Sequence, residues 1–446
     1  MPQIVLEYQT MLTKPTFALL ATVCLAAMTL VDCAAEIVPE PLDQEPVTIT
    51  FSFPHSQDRD LYQPIADAFE QSHPNITIHL RPDPSGQWVR DEGNAADTFV
   101  WWPDPTLTEG ETPLVLGLDA LLAETDRLVA GDFYPRAVDM FRWDGALWAL
   151  PAEVDLQVVF YNADLFDAGG VAYPQAGWTW DDLLSTAQRA TTVEGDLWSF
   201  DGHYGLASNP TWGDFAPFIY QHDGDLFRLD DARTEEAIRW YADLALEHGV
   251  MPPPKYVIHG DTFGLFQQKK AAMWIGFLGD RDGMGWHHLR APWEFDWGIA
   301  PLPGDQTEAT LYRGQGYYIT SHSAHVEQAW AWIEYLSSRP VGRMLPARRS
   351  TAESSDFREM VGDDVAAVAL YAVERLVPRV SADGEPPETL ETYARTVESV
   401  VNDGERRGIF EPPETPETFA LVVESVVNGK LTPSEAMAML REQVSD

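Results

Sequence analysis

Residues 141–184, FRWDGALWALPAEVDLQVVFYNADLFDAGGVAYPQAGWTWDDLL, set several structural devices in a fixed order. Asp144-Gly145 predicts a tight turn, a short apolar strand follows at 146–150, and Pro151 is expected to end it. A second strand, 156–161, runs into Asn162, whose side chain suits the cap of a short helix carrying Leu165 and Phe166. Gly169 and Gly170 stop that helix. Trp178, Thr179 and Trp180 then lead into Asp181 and Asp182 and a helix with Leu183, Leu184 and Ala187 on one face. The block thus joins strands to helices within some forty residues, as chains of the α/β class do.

The block resembles the central signature of the extracellular solute-binding proteins that serve ABC importers, the group that includes maltose- and glycerol-phosphate-binding proteins. The pattern is an Asp-Gly turn, an aromatic residue, a proline at a strand end, a Tyr-Asn-x-x-x-Phe helix start and a Trp-x-Trp helix entry. Further matches follow in order. FGLFQQKKAAMWIG, at 263–276, is similar to the family's Phe-x-x-Gly-Lys-Ala-Ala-Met stretch, with Gln268 or Lys269 where glycine is usual; WGIAPLPG, at 297–304, and LPARR, at 345–349, resemble two later segments.

Elsewhere the chain reads as the same alternation. A strand at 47–53, a helix with Leu61, Ile65, Ala68 and Phe69 on one face, a strand at 76–80 and another at 97–102 imply a right-handed parallel unit. Two further helices show clear apolar faces, at 234–248 (Ala237, Ile238, Tyr241, Leu244, Ala245) and at 326–338 (Ala329, Trp330, Ile333, Leu336). Near the C-terminus, PPETLETYARTVESVVNDG from Pro386 nearly repeats as PPETPETFALVVESVVNGK from Pro412. Two copies are too few for a solenoid, so 386–430 predicts a duplicated packing helix on the second lobe. A last helix is expected at 434–444.

The formal charge of −41 disfavours nucleic acid and anionic membrane surfaces as partners, because phosphates are bound by clustered Lys and Arg. Both cysteines, Cys24 and Cys33, precede residue 34, so the remaining chain has no disulfide framework. The apolar run at 17–31 after Lys14 has the length of an export signal and is too short for a membrane span. Either Met1 or Met11 fits as the start. The run ends Leu30-Val31-Asp32-Cys33, which resembles a lipobox with Asp32 in place of a small residue. Lipid attachment at Cys33 and cleavage after Ala35 are both open, and 34–44 reads as a polar tether. The membrane is then met only through an N-terminal lipid, and the location is extracytoplasmic, periplasmic or at the cell surface.

The resemblance implies a two-lobed α/β fold of the periplasmic-binding-protein kind (type II), its lobes discontinuous in sequence: 45–153 with 293–338, and 154–292 with 339–446. The chain crosses between them at a hinge, the first crossing carrying Pro151 and Glu153. The function implied is capture of a solute, with carbohydrate the best class, by a monomer that closes on its ligand and delivers it to permease subunits of an ABC importer.

Sixteen tryptophans supply both core and stacking surface, since an indole buries a large area and also stacks on the CH face of a sugar. Trp101, Trp102 and Trp212 lie at strand ends or in loops, where α/β proteins place ligands. The resemblance implies that Trp274, with Gly276 and Phe277, occupies the matching edge of the other lobe, and since strand neighbours face opposite sides one of the two aromatics is expected to face the cleft. His55 and Ser56, past the first strand, and Tyr312 and Arg313, before Gly314, join them by position. Glu153 and Asp155 could accept hydrogen bonds from vicinal hydroxyls.

No catalytic, metal or cofactor constellation emerges. Gly314-Gln-Gly316 lacks the third glycine of a dinucleotide loop, and Asp280-Arg-Asp282-Gly283 lacks the remaining ligands of a calcium loop. The expectation is a binding protein, not an enzyme, without cofactor. The alternatives are a secreted glycan-degrading enzyme, which needs two carboxylates flanking one bond, and a receptor-linked sensor or adhesion module on the same fold.

Overall fold

In the first strand, β1 (Val47–Phe53), Ile49, Phe51 and Phe53 are fully buried, as the alternation predicts. The helix Arg59–Ser72 brings Tyr62, Ala66 and Phe69 against the sheet, leaving Leu61 and Ala68 of the expected face exposed, and returns the chain to β2 (Ile76–Pro82), parallel to β1. Then β3 (Thr98–Trp101) pairs parallel with β1 on its other side. The computed structural model describes residues 45–83, 95–109, 112–125, 130–196, 199–210, 213–225, 231–253, 261–283, 292–377 and 419–444. The export segment, Cys33, the tether, Trp212 and the first copy of the tail repeat lie outside the described residues.

Around Asp144-Gly145, with φ of 51° and 77°, β4 (Arg142–Trp143) and β5 (Ala146–Leu147) form a hairpin; two positive φ values in succession suit the turn to the strand twist. The strand expected at 146–150 therefore stops at Leu147, and a new one begins at Leu150. This strand, β6 (Leu150–Asn162), corrects a second expectation: Pro151 ends nothing and lies inside thirteen continuous strand residues. The reason is in the facing strand β12 (Tyr312–Ile319). Gln315 pairs with Glu153 but Gly316 pairs with Pro151, so the register slips there, and a proline without an N–H is tolerated at such a bulge. The two glycines of β12 serve close packing. A Cβ at Gly316 would come within 2.8 Å of Ala149 and Phe141, and one at Gly314 within 2.5 Å of Met140.

Apart from a small antiparallel pair, β7 (Glu194–Asp196) and β8 (Ser199–Asp201), the sheet order is β2-β1-β3-β12-β6-β10-β9, with β9 (Tyr204–Ala207) and β10 (Ala271–Phe277); β11 (Trp297–Ala300) and β13 (Leu345–Pro346) also pair with β6. The first half of β6 pairs with β12, from Leu150 to Leu156, and the second half with β10 and β11, from Gln157 to Asn162. One strand thus joins two groups of strands, each with its own helices. On the first group, Trp332 of the helix Val326–Ser337 meets Phe51 at 5.7 Å and Phe69 at 5.2 Å, centroid to centroid. On the second, the helices Trp180–Ala190, Ala232–Leu246, Phe419–Val427 and Pro433–Val444 enclose a core containing Leu183, Tyr241, Met273, Ile275, Val423 and Leu440. The helix Phe419–Val427, which lies within the second copy of the tail repeat, packs into this core through Val422, Val423, Val426 and Val427.

Local signals hold closely. Asn162 accepts a hydrogen bond from the Leu165 amide at 3.0 Å, and Gly170 ends that helix at φ 61°. Thr179 and Asp182 form a reciprocal capping box. Lys269, one of the two residues that fit the usual glycine position of the resembled stretch, adopts φ 59°, a left-handed conformation that costs a side-chain-bearing residue about 1–2 kcal/mol.

Candidate functional site

Glu153, Asp155 and Gln157 alternate along β6 and so share one face, and all three are buried, Asp155 and Gln157 completely. Burying such groups is costly unless each is hydrogen-bonded. Every one has a partner from another segment. The Asp155 Oδ2 accepts from Arg313 Nε at 2.9 Å and forms an ion pair with Nη2 at 2.8 Å, and its Oδ1 accepts from the Gly279 amide at 2.7 Å. Glu153 Oε1 accepts from the Gly342 amide at 3.0 Å. Gln157 Nε2 donates to Asp214 Oδ1 at 2.6 Å, and Asp214 Oδ2 accepts from the Asn209 amide and Ser208 Oγ.

Arg313 is the centre of this arrangement. On β12 it stands directly opposite Asp155, its guanidinium lies 3.9 Å from the centroid of Phe277 and 5.5 Å from that of Trp102, and it comes within 4.0 Å of Asp280. Flat cations on aromatic faces are attracted by the ring quadrupole. Its side chain keeps 28% exposure, while Asp155 beneath has none. One guanidinium thus gathers the end of β3, the middle of β6 and the end of β10, the places where the two strand groups meet.

The electrostatics are those of a polar floor in an apolar surround. Burial pushes the Glu153 carboxyl up to about 8, opposed by the Gly342 amide and Arg281 and aided by Asp155 and Asp58. Asp58 ends the short turn Ser56–Asp58, so that turn approaches the floor. Burial raises Asp214 to about 7. For Asp155 burial also pushes upward, countered chiefly by Arg313. Buried Tyr62 and Tyr317 are held well above the ordinary phenol value by burial, with Glu153 adding to it.

Of the residues singled out by sequence, Trp102, Asp155, Phe277 and Arg313 come together, with Glu153 two residues along the same strand face. His55 and Trp101 are half-buried and Ser56 is exposed; Tyr312 is half-buried and alternates with Arg313 on β12. Trp274 takes the other face of β10. It is 4% exposed, stacked on Phe160 at 5.5 Å and met edge-on by Phe263 and Trp293, and its N–H donates to Thr262 Oγ1 at 3.2 Å. Gly276 makes room for that ring, since a Cβ there would sit 2.4 Å from it. Of the two aromatics on β10, Phe277 faces the floor and Trp274 belongs to the core.

The turn Leu278–Gly283, which resembles a fragment of a calcium loop, supplies the Gly279 amide to Asp155, while Arg281 donates to the Arg343 carbonyl. Sequence reasoning named neither Gly342 nor Asp214. Both act through contacts with no local pattern. A separate concavity of about 470 Å³, walled by Trp180 and Trp240 with His222 held between Asp305 and Glu236, shares no residue with this floor.

Residues 54–342 match the model of the bacterial extracellular solute-binding protein family, and the chain belongs to that family. The mannitol-binding protein of Pseudomonas aeruginosa is 25% identical over 381 residues, covering 76% of this chain and 81% of that one. The fold is that of solved two-lobed binding proteins. An ABC substrate-binding protein from Listeria monocytogenes, in complex with cycloalternan, superposes with a TM-score of 0.67 at 18% identity over 90% of this chain and 98% of its own. The cyclic alpha-maltosyl-1,6-maltose binding protein of Arthrobacter globiformis gives 0.64 at 17% identity, over 90% and 98%.

Proposed function

We propose that this solute-binding protein captures a sugar or polyol between its two lobes and hands it to the permease of an ABC importer. The carrying observation is the floor at the junction of the two strand groups, where Arg313 joins Trp102 of one to Phe277 of the other above buried Asp155. Aromatic faces accept the CH surface of a sugar, and guanidinium and carboxylate groups match its hydroxyls. The mannitol-binding relative and the saccharide-bound structural neighbours support the same ligand class.

The lobes are read as 45–153 with 293–338 and 154–292 with 339–446, with β6 as the first hinge strand. Contacts from both lobes are made only when they close, so ligand shifts the population toward closure, a hinge motion well known among periplasmic binding proteins as a group. His55, Ser56, Trp101, Tyr312 and, outside the described residues, Trp212 border the same ligand in this reading. Export, with Cys33 as the lipid anchor, would hold the receptor beside its permease.

A thermal-shift screen against sugars and polyols, followed by recovery of the ligand, tests the reading. Binding raises the apparent melting temperature by mass action, and the ligand is expected back chemically unchanged. A panel without any shift, or a ligand returned hydrolysed, would sink it.

A further inference from the structure

Among the described residues, the guanidinium that lies on the aromatic walls of this floor is already matched to a carboxylate. Arg313 gives its Nε to Asp155 Oδ2 and holds one Nη 2.8 Å from the same oxygen, and Asp280 lies 4.0 Å away. Asp155 is itself fixed from behind by the Gly279 amide, so neither partner can swing out without breaking a second segment's contact. The guanidinium plane is held against Phe277 at 3.9 Å.

A phosphate ester needs unmatched cations or a nest of free N–H groups, and here it would meet a guanidinium whose charge is already neutralised, with carboxylates behind it. A hydroxyl of a neutral ligand can accept one of the remaining guanidinium N–H groups and donate to an acceptor oxygen without adding charge to a low-dielectric floor. We propose that the Asp155–Arg313 pair is the specificity determinant of this site, selecting a neutral polyhydroxylated ligand against its phosphate ester and positioning the Trp102 and Phe277 walls. The inference rests on the sugar or polyol reading above, and it adds a discrimination that the family does not impose, since glycerol-phosphate binders share the same sequence motifs.

Asp155→Asn is the informative variant. An asparagine oxygen can still accept from Gly279, while Arg313 loses its close carboxylate and keeps only Asp280, at 4.0 Å. Calorimetric titrations use mannitol and maltose as neutral probes and mannitol 1-phosphate, glucose 6-phosphate and inorganic phosphate as anions, with circular dichroism to verify folding. The wild-type protein is expected to bind a neutral probe and to bind its phosphate ester at least roughly tenfold more weakly. Asp155→Asn is expected to gain phosphate affinity by roughly tenfold to a hundredfold, the range of one charge-assisted hydrogen bond. Arg313→Lys keeps the charge and loses the flat fork, so it should weaken the neutral probe roughly tenfold with little change in melting temperature.

Three results would overturn the proposal: a wild-type preference for the phosphate ester, a folded Asp155→Asn protein with no gain in phosphate affinity, or Arg313→Lys binding the neutral probe like wild type. If Asp155→Asn does not fold, the wild-type preference and Arg313→Lys still decide. Failure of every neutral probe on the wild-type protein counts against the sugar or polyol reading, whereas the inorganic phosphate titration of Asp155→Asn reads the pair's charge matching independently of any sugar.

Discussion

Glu153→Gln is expected to make the protein more stable at pH 8–9 and to flatten the alkaline side of its stability profile. Buried Glu153 keeps its proton to about pH 8, against an ordinary value of 4.5. Between those two values the unfolded chain has released the proton and the folded protein retains it, so stability falls as pH rises through that window. At pH above 8 the accumulated loss from a shift of this size is on the order of 4–5 kcal/mol. Glutamine keeps an oxygen to accept from the Gly342 amide and has no charge to bury. Asp214, raised to about 7, produces a loss of the same sign ending about one unit lower. Urea denaturation from pH 5 to 9 measures both proteins. A wild-type protein as stable at pH 8.5 as at pH 6, or a variant no more stable than wild type at pH 8.5, would show that Glu153 is not held protonated.

The second large effect separates two tryptophans that sequence position treats alike. Trp274→Ala should cost about 3–5 kcal/mol, because it empties a site packed by Phe160, Phe263 and Trp293 and orphans the Thr262 contact. Trp102→Ala should leave the melting temperature within a few degrees of wild type and weaken ligand binding by roughly tenfold or more, as removal of an aromatic anchor does. Thermal denaturation and titration of the two variants in parallel read this out. The reverse pattern, with Trp102 needed for folding and Trp274 only for binding, would place the ligand on the opposite face of β10.

What the sequence makes legible is local. The Asn162 cap, the Thr179 capping box and the Gly170 stop are decided within four residues, and the hydrogen-bonding reach of the side chains is enough to predict them. The apolar faces of the helices Ala232–Leu246 and Val326–Ser337 follow from the helical period alone. Pro151 misleads because its tolerance depends on a bulge at Gln315/Gly316, more than 160 positions away. Trp274 is ambiguous for a related reason: alternation separates the two faces of β10 but does not say which one residues 293–297 will cover. Asp155 and Arg313 are each recognisable as candidates, yet their pairing across 158 residues turns two ligand contacts into one neutralised unit. That distinction exists only in the folded chain.

Small-angle scattering of the protein with and without a saturating neutral sugar or polyol tests the central claim most directly. Capture between two lobes predicts a smaller radius of gyration in the presence of a ligand that binds, with the compaction lost in Trp102→Ala at the same ligand concentration. A ligand that saturates the protein and leaves the scattering profile unchanged would contradict binding by lobe closure.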